Sequence, residues 1–222
     1  MISDLSKLTL IPFFEGLSEK DLAAVARYVF EKTAERGDII SFEGQPADAI
    51  YTVISGVVKT YKTSSDGKEQ IFRIVRPGGT FNDAPVLLND INLITAEAMG
   101  PVVLYGIRKD DLHTILEAYP VIARNANRIL AGRVQSLVSL VEDFSFLNVT
   151  GRVAKMLLQN AENEDHQHRR LTQQEMASLI GTAREMVGRS LKNLEEQGLI
   201  RLERSRIVIA DKDGLKRVAG MN

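Results

Sequence analysis

Residues 171–200, LTQQEMASLIGTAREMVGRSLKNLEEQGLI, constrain this chain more than any other stretch. Thr172 is a favourable N-cap, and Glu175 three residues on completes a capping box. The spacing predicts a short helix with Met176, Leu179 and Ile180 on one side, stopped by Gly181. Thr182 is read as the cap of a second helix, with Glu185 closing a second capping box. Two capped helices joined by a short, glycine-containing turn are the sequence mark of a helix-turn-helix.

The second helix has two faces. At 100° per residue, Arg184, Glu185, Gly188, Arg189 and Lys192 fall in one arc of about 140°, and Val187, Leu191 and Leu194 lie roughly opposite. The polar face begins in the first turn, the part of a recognition helix that meets base edges. Each arginine can fork onto a guanine, and a glutamate can accept from cytosine N4. Gly188 leaves room for close approach. A solvated face with an intrahelical Glu185–Arg189 pair is the alternative. The preceding capped helix and a following hairpin favour DNA reading. That hairpin spans residues 199–203 and 206–210 around Arg204 and Ser205, and reads as a wing. Thr172, Thr182, Lys192, Arg201, Arg204 and Arg206 are read as contacts to the DNA backbone, which position but do not specify. For each wing arginine, a free solvated side chain is the competing reading.

Charge is distributed unevenly. From Thr150 onward there are 13 Lys/Arg and 10 Asp/Glu, against 15 and 19 in the rest of the chain. A mildly basic C-terminal part beside an acidic N-terminal part suits a DNA reader joined to a sensor. Cysteine is absent, which excludes disulfides and Cys-ligated zinc or iron–sulfur clusters. The start, MISDLSKLTL, lacks the pattern of a signal peptide, and no apolar run reaches membrane-spanning length, so a cytoplasmic protein is expected.

Upstream, Ser18 caps a predicted helix in LSEKDLAAVARYVF, residues 17–30, with Leu22, Val25, Ala26 and Val29 at helical spacing. From Ala34 the period changes to two. Residues 38–42, 49–54, 57–63, 70–75 and 102–107 read as short strands, with a hairpin signal at Asp66-Gly67. An antiparallel roll or barrel is expected, with one sheet of a sandwich as the alternative. Residues 109–116 form a short helix, and Pro120 opens one of about 25 residues. Its apolar stripe runs through Ile122, Ala126, Ile129, Val134, Leu137, Val141 and Phe144. Such a helix either seams a two-fold homodimer or packs on its own roll; a two-copy DNA reader favours the seam. A further helix covers residues 148–159, with Val153, Met156 and Leu157 inward.

On these residues the chain resembles the catabolite activator / fumarate-nitrate regulator (CRP/FNR) family of bacterial transcription factors. The resemblance rests on RGDIISFEGQPADAIYTVISGVVKTY in the roll, FLNVTGRVAKMLL at the hinge, and the helix pair. It implies an α+β chain. An N-terminal cyclic-nucleotide-binding-like β-roll (jelly roll) would span residues 1–118, a dimerisation helix and hinge 119–147, and a winged helix-turn-helix 148–222. Arg184, Glu185 and Arg189 match the family's Arg-Glu-x-x-x-Arg pattern, which reads TGTGA-like half-sites; the TTGAT-reading branch has serine where this chain has Gly188. Double-stranded DNA and RNA polymerase are the implied partners, residues 163–170 being a polymerase contact by analogy only. Effector binding in the roll would shift the long helices and the hinge.

The sensor departs from the cyclic-AMP pattern, which has a glutamate for the ribose and an arginine for the phosphate. In GGTFNDAPVLLNDINLITAEAM, Asp83 stands nearest the glutamate, and Leu93 or Ile94, followed by Thr95, occupies the arginine position. No arginine lies between Arg76 and Arg108. Leu137 and Val138 replace the polar groups that meet the base. The effector pocket is accordingly read as Asp83, Ile94, Thr95, Leu137 and Val138, with cyclic AMP excluded as a tight ligand. Heme would need an axial ligand, for which His113 is the one sensor histidine; His166 and His168 are weak metal candidates. An apolar effector, or a constitutive DNA binder with a vestigial sensor, stays open. An enzyme on a cupin-like barrel would need histidines among the strands, and none lies there before Arg108.

Overall fold

A computed structural model describes residues 5–88, 90–162, 171–203 and 206–221. The chain divides into two compact units, residues 1–62 with 72–135, and residues 63–71 with 136–222. Among the described residues, no helix is long and apolar enough to cross a membrane.

Two four-stranded sheets make up most of the first unit. Their strands are β1 (Val29–Ala34), β2 (Ile39–Ser41), β3 (Ala49–Ser55), β4 (Val58–Thr63), β5 (Glu69–Val75), β6 (Thr80–Phe81), β7 (Thr95–Ala98) and β8 (Val102–Arg108), of which Thr63 and residues 69–71 group with the second unit. The sheet orders are β1-β8-β3-β6 and β2-β7-β4-β5. β1 on β8, β2 on β7, β3 on β6 and β8, and β4 on β7 all pair antiparallel, and Tyr51 of β3 faces Gly106 of β8. Non-sequential neighbours in both sheets give the jelly-roll connectivity expected of a sensor roll. Tyr51, Phe81, Leu104, Val53 and Val58 pack within it. Tyr51 stacks on Phe81 with ring centroids 5.3 Å apart.

Helix α1 (Glu19–Val25) starts at Ser18, whose hydroxyl accepts from the Asp21 N–H. It is shorter than the sequence reading. A 3-10 turn covers Ala26–Tyr28, and Val29 opens β1 rather than extending the helix. Pairing of Val29–Ala34 with β8 outweighs the local helical spacing. A short helix α2 (Asp83–Leu88) follows β6. Helix α3 (Lys109–Ala118) leads to α4 (Pro120–Phe146), within which the boundary between the units falls. Asn125 on α4 is buried, and its amide donates to the carbonyls of Phe13 and Glu15 at 3.0 and 2.7 Å. Those bonds tie the 3-10 turn Pro12–Phe14 and its C-cap Glu15 to the helix.

The second unit contains α5 (Val149–Glu162), α6 (Gln173–Ile180), α7 (Arg184–Glu196), the hairpin β9 (Ile200–Glu203) and β10 (Arg206–Ile209), and α8 (Lys212–Val218). Its core gathers Val153, Leu158, Ala177, Val187, Leu191 and Leu194. Burial of each such leucine contributes about 1.5–3 kcal/mol. Lys155 on α5 meets Asp143 and donates to the Ser139 hydroxyl at 3.0 Å, fastening α5 to the last turns of α4.

Candidate nucleic-acid interface

The turn between α6 and α7 is fixed by backbone chemistry. Thr172 accepts from the Glu175 N–H at 3.2 Å, and Glu175 accepts from the Thr172 N–H at 2.7 Å, a complete capping box. At the other end Gly181 adopts φ 65°, ψ 49°. The Thr182 N–H then donates to the Ala177 carbonyl at 3.0 Å, the long bond of a Schellman turn. Thr182 is therefore spent on ending α6. The N-cap of α7 is Ala183, with no side-chain cap bond, so the expected Thr182–Glu185 capping box does not form.

The two faces of α7 are as its sequence requires. Val187, Ser190, Leu191 and Leu194 are buried. Arg184, Glu185, Arg189 and Lys192 are exposed. Among the described residues, Arg184, Glu185 and Arg189 have no hydrogen-bond or ion-pair partner, and the intrahelical Glu185–Arg189 pair weighed as an alternative is not made. Lys192 instead lies 3.7 Å from Glu196. A Cβ added at Gly188 would meet only the Gln173 Oε1, at 3.8 Å. Gln173 thus borders this face, a neighbour that helical periodicity within α7 had no means of showing.

Thr172 is exposed and Thr182 half-buried, flanking the same turn. The Thr172 oxygen accepts its cap bond, which leaves the O–H to donate outward. In the wing, Arg201 and Arg206 are exposed, and Arg206 pairs with Glu203. Hydrogen bonding from Arg206 holds the Glu203 carboxyl below the usual carboxylate range. The Leu202 N–H donates to Glu195 at 2.8 Å, which joins the wing to α7. Arg204, His166, His168 and the loop 163–170 lie outside the described residues.

The residues read as an effector pocket have different settings. Asp83 is fully buried, Thr95 is buried and Ile94 half-buried. The Thr95 hydroxyl accepts from the Glu43 N–H. Leu137 and Val138 are more than half exposed on α4. Asp83 does not wait for a ribose. Its Oδ1 accepts from Arg133 and from the Ala84 N–H, and its Oδ2 from the Thr80 hydroxyl. His113 is 81% exposed on α3 and lies 3.2 Å from Glu117, a setting that does not fit a buried axial ligand of heme. Among the described residues, no three His, Asp or Glu side chains gather into a metal site.

Comparison with known proteins identifies both halves. A cyclic nucleotide-binding domain matches residues 31–119, and a Crp-like helix-turn-helix domain matches residues 151–218. A CRP-like cAMP-activated global transcriptional regulator from Mycobacterium tuberculosis is 31% identical over 213 residues, covering 93% of this chain and 95% of the relative. The chain belongs to the CRP/FNR family of transcription regulators. The solved structure of FixK2 from Bradyrhizobium japonicum has the same fold, with a TM-score of 0.77 at 22% identity over 86% of this chain and 96% of that one. The Thermus thermophilus catabolite activator protein is 26% identical over 94% of this chain and 98% of that one, with a TM-score of 0.56. As a CRP/FNR member the chain is a DNA-binding transcription regulator with a cyclic nucleotide-binding domain.

Proposed function

We propose that this protein acts in the cytoplasm as a homodimer that reads a TGTGA-like palindrome through Arg184, Glu185 and Arg189, under effector control from the roll. The carrying observation is the state of those three side chains: exposed, side by side on a helix with a buried opposite face, and without partners among the described residues. Guanidinium forks with no internal carboxylate are available for guanine O6 and N7, and the free carboxylate for cytosine N4. Thr172, Thr182, Lys192, Arg201, Arg204 and Arg206 contribute positioning contacts to phosphate. Pairing with Glu203 makes Arg206 a weaker phosphate contact than Arg201.

A dimer is supported by α4. Val134, Leu137, Val138, Val141 and Phe144 recur at spacings of three and four, and each is between 42% and 64% exposed. An apolar stripe of this kind on a long helix suits a second copy of itself. Two recognition helices about 34 Å apart would then meet successive major grooves.

Cyclic AMP activates the mycobacterial relative, as its name states. This chain's own residues argue against the same ligand, because Asp83 is already engaged and Leu93 and Ile94 carry no charge. A gel shift at fixed salt with a TGTGA palindrome tests the base reading. Arg184→Ala and Arg189→Ala should each cost about 1–3 kcal/mol and relax discrimination at one base pair. Full discrimination in both variants would refute the assignment.

A further inference from the structure

Helix α7 presents a polar face with a gap at its centre, and a side chain from α6 lies against the gap. Gly188 follows Arg184 and Glu185 by one turn and precedes Arg189, so it sits among the charged groups of α7 without offering one itself. Gln173, the first residue of α6, is exposed, and its Oε1 is 3.8 Å from the point where a Cβ on Gly188 would stand. The chain neighbours of Gly188 aside, no other described side chain comes within 4 Å of that point.

The fold does not use the Gln173 amide. The capping box at the start of α6 is closed by the Thr172 hydroxyl and the Glu175 carboxylate. Among the described residues, the Gln173 side chain has no hydrogen-bond partner. It therefore keeps two N–H donors and a carbonyl acceptor free beside the charged face of α7.

The chemistry of that face is incomplete without it. Arginine presents only donors and suits guanine O6 and N7; glutamate presents only acceptors and suits cytosine N4. Arg184, Glu185 and Arg189 thus match the G·C pairs of a TGTGA-like half-site. Its other three pairs each contain adenine, whose major-groove edge sets an acceptor, N7, beside a donor, the N6 amino group. Neither a guanidinium nor a carboxylate matches both, whereas a primary amide does. A phosphate takes a stronger bond from a cation than from a neutral amide, and Lys192 supplies a cation on the same face.

We infer that Gln173 reads an adenine of the half-site, donating from Nε2 to N7 and accepting at Oε1 from the N6 amino group. The missing side chain at Gly188 is what lets a residue of α6 share the groove with α7. This rests on the base reading proposed for α7.

The test is competition binding at fixed salt with the full-length protein, each pair of a TGTGA palindrome being replaced in turn by the other three. Gln173→Ala should lower discrimination at one A·T pair by about fivefold or more, with the G·C preferences and the melting temperature unchanged. Gln173→Glu should turn the preference at that same pair toward cytosine, since a carboxylate accepts from N4. Equal loss of affinity for every sequence in Gln173→Ala would place the amide on phosphate and overturn the inference, as would unchanged discrimination at all A·T pairs. Arg184→Ala in the same assay separates the two readings. Loss at a G·C pair there, with no A·T pair affected in Gln173→Ala, overturns this inference alone. Full G·C discrimination in both Arg184→Ala and Arg189→Ala overturns the reading of α7 and this one with it.

Discussion

Arg152 and Ile180 are joined across the helical unit: the Arg152 Nε–H donates to the Ile180 carbonyl at 3.0 Å. The bond lands on the last turn of α6, where carbonyls lack helical partners and the helix dipole is negative. The Arg152 Nη1 also donates to the Leu147 carbonyl at 2.8 Å, and its guanidinium lies 5.2 Å from the centre of the Phe144 ring. One side chain therefore holds the end of α6, the end of α4 and the start of α5 together. Arg152→Ala should cost about 1.5–3 kcal/mol in denaturant unfolding of the second unit. It should also weaken operator binding although it touches no DNA. An unchanged unfolding midpoint would show that the three-way tie contributes nothing.

The two glycines of the reader should respond in opposite ways. Gly181 has φ 65°, and a Cβ there would sit 2.5 Å from the Phe144 ring. Gly181→Ala is expected to cost about 2 kcal/mol or more in thermal or urea unfolding, and to impair DNA binding with it. Gly188 lies mid-helix with ordinary contact distances around it. Gly188→Ala should leave the fold as stable or stabilise it by up to about 1 kcal/mol. Any loss of operator affinity in that variant then reports crowding at the DNA surface. A destabilised Gly188→Ala protein would contradict the open face described above.

The roll makes a prediction at high pH. Burial, followed by the nearby Asp48 carboxylate, pushes the Tyr51 phenol up to about 12. The unfolded chain releases that proton near pH 10, so the folded state binds more protons between pH 10 and 12. Stability from this group is present in full below about pH 10 and is lost as the pH climbs through that window. Urea midpoints measured across it should fall more steeply for wild type than for Tyr51→Phe. Parallel curves would place the phenol in contact with water.

The α4 stripe predicts its own test. Leu137→Asp together with Val141→Asp should convert a sedimenting dimer to a monomer with unchanged circular dichroism. Binding to a full palindrome should fall toward that of a half-site. A double variant that still sediments as a dimer would place the seam elsewhere.

The helix pair was legible because its determinants are local. The Thr172 capping box spans three residues, and the buried stripe of α7 repeats every three or four, which is the range over which helical chemistry acts. Thr182 was misread because it fits a cap equally well, and the Schellman bond that occupies its N–H is set by where α6 ends. Val29 was misread for a different reason. Its helical spacing was real, and pairing with Ile107, 78 residues away in sequence, overrode it. Strand β6 has two residues, too few to show the alternation that marks a half-exposed strand, and the sequence reading lacks it. The Asp83–Arg133 pair was illegible for the same cause as β1: its partners lie 50 residues apart in sequence.

Among the described residues, the side chains of Arg184, Glu185 and Arg189 tie down no other part of the molecule. Exchanging them breaks no cap, empties no core position and strands no buried charge. On the base reading proposed above, the address this regulator answers to is written in side chains that the scaffold does not need. Descendants of the gene can drift to new operators one substitution at a time, and an engineer can redirect the protein, without first compensating for lost stability.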